Sequence, residues 1–139
     1  MRYLLDTCVI SELTRRTPNV GVIAWLREQN PEMLYLSLLT IGELKKGIIK
    51  RNGDVRALAL ERWLNDEIIA AYSDRLLPID MDVALVWGRI TGEAERAGVS
   101  RPIADSLIAA TALVHDMTVV TRNVSDMVYT GVRLFNPFE

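Results

Sequence analysis

One cysteine, Cys8, and one histidine, His115, are all that the chain offers of the residues that build disulfides and zinc sites. An internal disulfide is therefore excluded, and the lone thiol fits a reducing cytoplasm. Zinc has too few of its usual ligands here. No stretch approaches the roughly 20 apolar residues of a membrane span. Asp6 cuts the opening run Tyr3-Leu4-Leu5 too early for a signal peptide. Repeats, low-complexity tracts and linkers are absent, as is any glycine-rich Walker loop ending in Lys-Ser/Thr. The net charge of −2 gives no general pull toward nucleic acid or an anionic membrane. A polyanionic partner would have to meet a local basic patch.

What remains is an ordinary globular composition, 50% hydrophobic and 24% charged over 139 residues. That is the size of one domain with a real core, so residues 1–139 are expected to form a single domain. Arg2 to Leu5 reads as a buried strand, and Ser11 as the N-cap of a short helix through Glu12, Leu13 and Arg15. Val20 to Leu26 carries a helical stripe that stops at Asn30-Pro31. Met33 to Ser37 has strand character. Thr40 to Arg51 is a helix presenting Ile41, Leu44, Ile48 and Ile49 on one face, and Asn52-Gly53-Asp54 is turn chemistry. Val55 to Tyr72 reads as one long amphipathic helix. Leu76 to Ile79 is a candidate strand, and Asp82 to Ala97 is a helix closed by Gly98. Pro102 opens a further helix to about Asp116, with His115 at its end as a C-terminal helix residue rather than a catalytic base. Thr118–Thr121 and Val132–Phe135 are the last strand candidates. Helices alternating with short apolar runs predict an α/β fold whose central sheet is mainly parallel and flanked by helices.

Three acids stand out against this pattern. Asp6 ends the first strand, Glu43 lies within Leu38-Leu39-Thr40-Ile41-Gly42-Glu43-Leu44, and Asp105 is the one charge in Pro102 to Ala110. Ionised carboxylates among buried residues need a partner, because desolvation costs several kcal/mol. A shared divalent cation is the simplest one, and a carboxylate set favours Mg²⁺ or Mn²⁺. Ligands in parallel sheets gather beyond the carboxyl ends of the strands, which is where Asp6 and the segment Arg122-Asn123-Val124-Ser125-Asp126 both fall. Each acid taken alone also has a plain reading. Asp6 could be a helix cap, Glu43 a half-exposed helix residue, Asp105 a first-turn acid, and Thr121 merely a β-branched strand residue.

At these same residues the chain resembles the PIN-domain ribonucleases, and more narrowly the VapC toxins of type II toxin–antitoxin systems, including their FitB-like branch. The matching stretches are Leu5-Asp6-Thr7-Cys8-Val9-Ile10-Ser11-Glu12-Leu13, Ser37 to Gly47 around Glu43, Ile103 to Ala112 around Asp105, and Val119 to Met127. The resemblance implies a PIN fold and Mg²⁺-dependent hydrolysis of RNA phosphodiesters, with Mn²⁺ as a possible substitute. It also implies a cognate VapB-like antitoxin, a homodimer within a higher toxin–antitoxin assembly, and DNA contact only through the antitoxin. Asp6 and Asp105 match the principal metal ligands and Glu43 the second acid of the family motif. Asn123 stands where many PIN domains have Asp, so Asp126, three residues on, is the candidate for the missing charge. Thr121 could hydrogen-bond an acid. Cys8 stands where Asn or Ser is usual, which alters the local support of Asp6. The alternatives are a PIN-like module that binds RNA or a partner without cleaving, and a phosphoryl-transfer or receiver-type domain. Cys8 also occupies the position where a haloacid-type hydrolase needs its second Asp.

Arg15, Arg16, Lys45, Lys46 and Arg122 lie beside the motifs and are candidates for a basic rim that contacts RNA phosphates. Trp25, Trp63, Leu64 and Tyr72 read mainly as core, with the remainder available to a groove for an antitoxin helix or a second subunit.

Overall fold

The computed structural model describes residues Met1–Glu139. Five strands, β1 (Tyr3–Leu5), β2 (Leu34–Ser37), β3 (Leu76–Leu77), β4 (Thr118–Val120) and β5 (Leu134–Phe135), form one sheet in the order β3-β2-β1-β4-β5. Every pairing is parallel. The helices are α1 (Thr7–Glu12), α2 (Val20–Glu28), α3 (Leu38–Lys50), α4 (Val55–Arg62), α5 (Met81–Arg96), α6 (Ile103–His115) and α7 (Val124–Met127). Short 3₁₀ turns precede β2 and follow α7.

Side chains of a strand point alternately to the two faces of its sheet, and the core divides accordingly. Leu5, Leu36 and Val120 join Val9, Ile10, Val22, Leu44, Ile48, Leu64 and Ile68 on one face. Leu4 and Val119 join Ile108, Ala109, Ala112, Met117 and Met127 on the other. A sheet buried on both faces explains why its strands read as continuous apolar runs. The chain leaves β1 toward β2 on one side and returns to β4 on the other, so the topological switch lies between β1 and β4. A crevice at the carboxyl ends of these two strands is the expected place for a ligand.

Three expectations need correction. The first helix begins at Thr7, not after Ser11, and its N-cap is Asp6, whose Oδ1 accepts from the Thr7 backbone N–H at 2.8 Å. A carboxylate at the very end of the strand outcompetes the Ser11 hydroxyl for that role. The stretch after α4 continues from Trp63 to Ile69 as a π-helix, so Val55 to Tyr72 is not one regular α-helix. Asp126 lies in the short helix α7. Ile49 points to solvent, whereas Leu44 and Ile48 are buried. Trp25, Trp63 and Tyr72 pack half-buried against the core that contains Leu64.

Candidate active site

The register of the sheet builds the first part of the site. Leu5 pairs with Val120, which sets Asp6 beside Thr121. The Asp6 backbone N–H donates to the Val120 carbonyl at 2.9 Å. The Thr121 hydroxyl donates to Asp6 Oδ2 at 2.8 Å and accepts from the Asn123 backbone N–H at 2.9 Å. Both Asp6 oxygens are therefore held, one by Thr7 and one by Thr121. Cys8 Sγ adds a weak contact 3.7 Å from Oδ2. Burial and then the Asp6 charge push the Cys8 thiol up, so it stays protonated and acts as a donor. Asp6 is both the plain helix cap and a member of the acidic group.

Thr7 couples the second acid to the first. Its backbone N–H serves Asp6, while its hydroxyl donates to Glu43 Oε1 at 2.6 Å. The Thr40 hydroxyl lies 3.0 Å from the Thr7 hydroxyl. Glu43 sits on α3, nearly two turns in from the Ser37 cap, which accepts from the Leu39 N–H. The sequence reading missed Thr7 and Thr40. The only signal available for them was their place within the stretches around Asp6 and Glu43.

Asp105 enters from α6. Ser106, its neighbour, accepts from Trp87 Nε1 at 2.9 Å and bonds back to the Pro102 and Ile103 carbonyls. These contacts fix the first turn of α6 against α5. Asp105 itself is pushed up to about 6, first by burial and then by the charges of Asp6, Asp126 and Glu43, in that order. No hydrogen bond contributes to offset those effects. Burial also raises Asp6; its hydrogen bonds from Thr121, Thr7 and Cys8 oppose this, and the Glu43 charge adds to it.

Asp105 on α6 thus feels the charges of Asp6 at the end of β1, Glu43 on α3 and Asp126 on α7. The four acids are drawn near one another without closing into a compact group of three metal-ligating side chains. Asn123 contributes its backbone N–H to Thr121, and its side chain makes no cap to α7. Asp126, in the first turn of α7, lies near enough for its charge to raise Asp105.

The basic candidates separate. Lys45 is tied to Glu61 on α4. Arg15 and Arg122 instead share Glu12, a buried acid on α1 that sequence reading did not single out, at 3.8 and 3.6 Å. A groove beside Glu43 is walled by Leu44, Ile48, Leu60 and Trp63 of α3, α4 and the π-helical segment.

A five-stranded parallel sheet with acids gathered at its switch point is the arrangement of a PIN domain, and the PIN domain family model matches residues 3–125. The chain belongs to the PIN-domain family. It is similar over nearly its whole length to particular members. Toxin FitB of Neisseria gonorrhoeae is 40% identical over 97% of this chain and 97% of that protein. A VapC ribonuclease of Sinorhizobium fredii is 36% identical over 98% of this chain and 97% of its own length. The crystal structure of FitAcB from Neisseria gonorrhoeae superposes with a TM-score of 0.93 at 37% identity, covering 99% of each chain.

Proposed function

We propose that this protein is a VapC-like endoribonuclease toxin that hydrolyses RNA phosphodiesters with a divalent cation, and that a cognate VapB-like antitoxin neutralises it. The observation that carries the reading is the approach of Asp6, Glu43 and Asp126 to Asp105, whose carboxyl is raised to about 6 by burial and then by the charges of those three acids. A site with that surplus of negative charge fits a hard cation. Its donor set is carboxylate oxygen, which favours Mg²⁺ or Mn²⁺ over zinc.

Asp6 and Asp105 would hold the ion, with Glu43 reaching it through water. When bound, such an ion polarises a phosphodiester and lowers the pKa of a bound water. The protein's own residues supply orientation. Thr121 and the Thr7 N–H fix the two oxygens of Asp6, and the Thr7 hydroxyl fixes Glu43. The whole chain acts in this reading as one PIN domain.

The partners follow from the relatives. Toxin–antitoxin assemblies such as FitAB bound to a DNA fragment share this fold, at a TM-score of 0.92 and 36% identity. An antitoxin segment, a homodimer and DNA contact through the antitoxin belong to the same reading. The groove beside Glu43 offers an antitoxin helix an apolar wall next to the acids. A cytoplasmic location is proposed with it; no helix is long and apolar enough to cross a membrane.

Isothermal titration with Mg²⁺ and Mn²⁺, together with RNA cleavage assays, tests the proposal on Asp6→Asn and Asp105→Asn. Both changes keep shape and remove charge. Loss of metal affinity and of cleavage is expected, and variants that retain both would overturn the assignment.

A further inference from the structure

A strongly basic hollow opens beside the acids. It has a volume of about 390 Å³, and Arg15, Arg51, Arg56, Arg122 and Glu12 line it. Cys8 lines it too and joins it to the acidic site, since its Sγ lies 3.7 Å from Asp6. Four guanidiniums and one carboxylate thus line one hollow in a chain whose net charge is −2.

Each guanidinium is aimed by a partner that leaves donors free. Buried Glu12 accepts from the Asn19 backbone N–H at 2.7 Å and lies 3.8 Å from Arg15 and 3.6 Å from Arg122. Arg122 also stacks over the Phe138 ring, 4.0 Å from its centroid. Arg51 pairs with Asp54 at 3.0 Å, and Arg56 donates to the Thr14 carbonyl. A guanidinium has five N–H donors, so each arginine is oriented while most of its donors remain available. The Arg15 and Arg122 side chains are 64% and 50% exposed. Planar guanidiniums match the paired oxygens of a phosphate. Apart from Cys8 the lining has no apolar residue, so it lacks the aromatic or aliphatic anchors by which a protein partner gains most of its affinity.

We propose that this arginine hollow binds a phosphate of the RNA strand neighbouring the one cleaved, and so holds the strand against the repulsion of the acids; this rests on the ribonuclease reading. Glu12 is a positioning residue for Arg15 and Arg122.

The test is binding of a short fluorescein-labelled single-stranded RNA, followed by anisotropy with EDTA present so that affinity is read without cleavage. Arg15→Gln, Arg56→Gln and Arg122→Gln are compared with the wild type and with Arg96→Gln, an exposed arginine outside the hollow. Thermal melts of all variants establish that they fold. Each hollow variant is expected to weaken binding about three- to tenfold at about 50 mM salt, and to flatten the log–log salt slope by about 0.7 for each phosphate no longer neutralised. Arg96→Gln should do neither, and Arg15→Lys should keep the salt slope. Hollow variants with unchanged affinity and slope would overturn the proposal. It would equally fall if those variants lost cleavage alone, or bound RNA normally but no longer bound poly-glutamate, the mark of an acidic protein partner. Failure of the unaltered protein to bind RNA with or without Mg²⁺ would overturn the ribonuclease reading as well.

Discussion

Replacing Thr121 by Val removes one hydroxyl at almost constant volume, at a position with no solvent exposure. Two hydrogen bonds go with it: the one given to Asp6 at 2.8 Å and the one accepted from the Asn123 N–H at 2.9 Å. A hydrogen bond to a charged group contributes about 1.5–3 kcal/mol, and a buried donor left without a partner costs about 1–3 kcal/mol. The added methyl returns part of this, about 0.8 kcal/mol. A net loss of about 2–3 kcal/mol is expected at pH 8 without metal, read from urea denaturation in EDTA. The loss must depend on pH. Burial already holds the Asp6 pKa above its ordinary 3.8, so folding disfavours its ionised form and metal-free stability falls as pH rises through the folded value. Losing the Thr121 hydrogen bond raises that value further. The variant's deficit should therefore be largest at pH 8 and shrink as the pH falls and Asp6 takes up its proton. Thr121→Ser, which keeps the hydroxyl, should recover most of the stability. A Val variant within about 0.5 kcal/mol of the wild type at pH 8, or one with a deficit independent of pH, would refute the coupling of Thr121 to an ionised Asp6.

Other outcomes follow from the same geometry. Asp105→Asn should stabilise the metal-free protein above pH 6. The folded value of about 6 exceeds the ordinary 3.8, so the cost of ionising Asp105 is absent below about pH 4 and complete above the folded value. Two pKa units correspond to about 3 kcal/mol, but the carboxyl is partly exposed and screened, so about 1 kcal/mol is expected. Urea titrations in EDTA at pH 4 and pH 8 check this, and an equal offset at both would contradict it. Mn²⁺ at about 100 times its Kd should raise the unfolding free energy of the wild type by about 2.7 kcal/mol and leave Asp6→Asn nearly unmoved; equal shifts in both would place the ion elsewhere. Gly21→Ala should cost about 1–3 kcal/mol, because the new Cβ would run into the Pro137 carbonyl where α2 meets the C-terminal segment. Gly92→Ala, in open space on α5, should gain about 0.5–1 kcal/mol. Thermal melts that reversed this order would refute the packing.

Elements with a strong local signature were legible in the sequence. The stripe of α2, the Gly98 stop of α5 and the Asp116 end of α6 all fall where periodicity and capping chemistry set them. The alternation of helix and strand pointed to the parallel sheet, because parallel strands need crossover helices. The acids were visible because charge within an apolar run calls for a partner. The cap at Asp6 was harder to place, since both Asp6 and Ser11 have cap chemistry and only the strand's end decides between them. α7 was hidden because four residues carry too little periodicity to show.

The sequence by itself determined most of the helices and strands, where each acid would stand along the chain, and the family the chain resembles. These properties are set by neighbours within a turn or two. Only the tertiary structure decided that Thr7 would bridge Asp6 to Glu43, that Thr121 would hold Asp6 across 115 residues, and that Arg15 and Arg122 would meet at Glu12 while Lys45 turned away to Glu61. Those pairings follow from strand order and register, which bring distant side chains to hydrogen-bonding range. No local preference encodes a distance between residues that the chain holds so far apart.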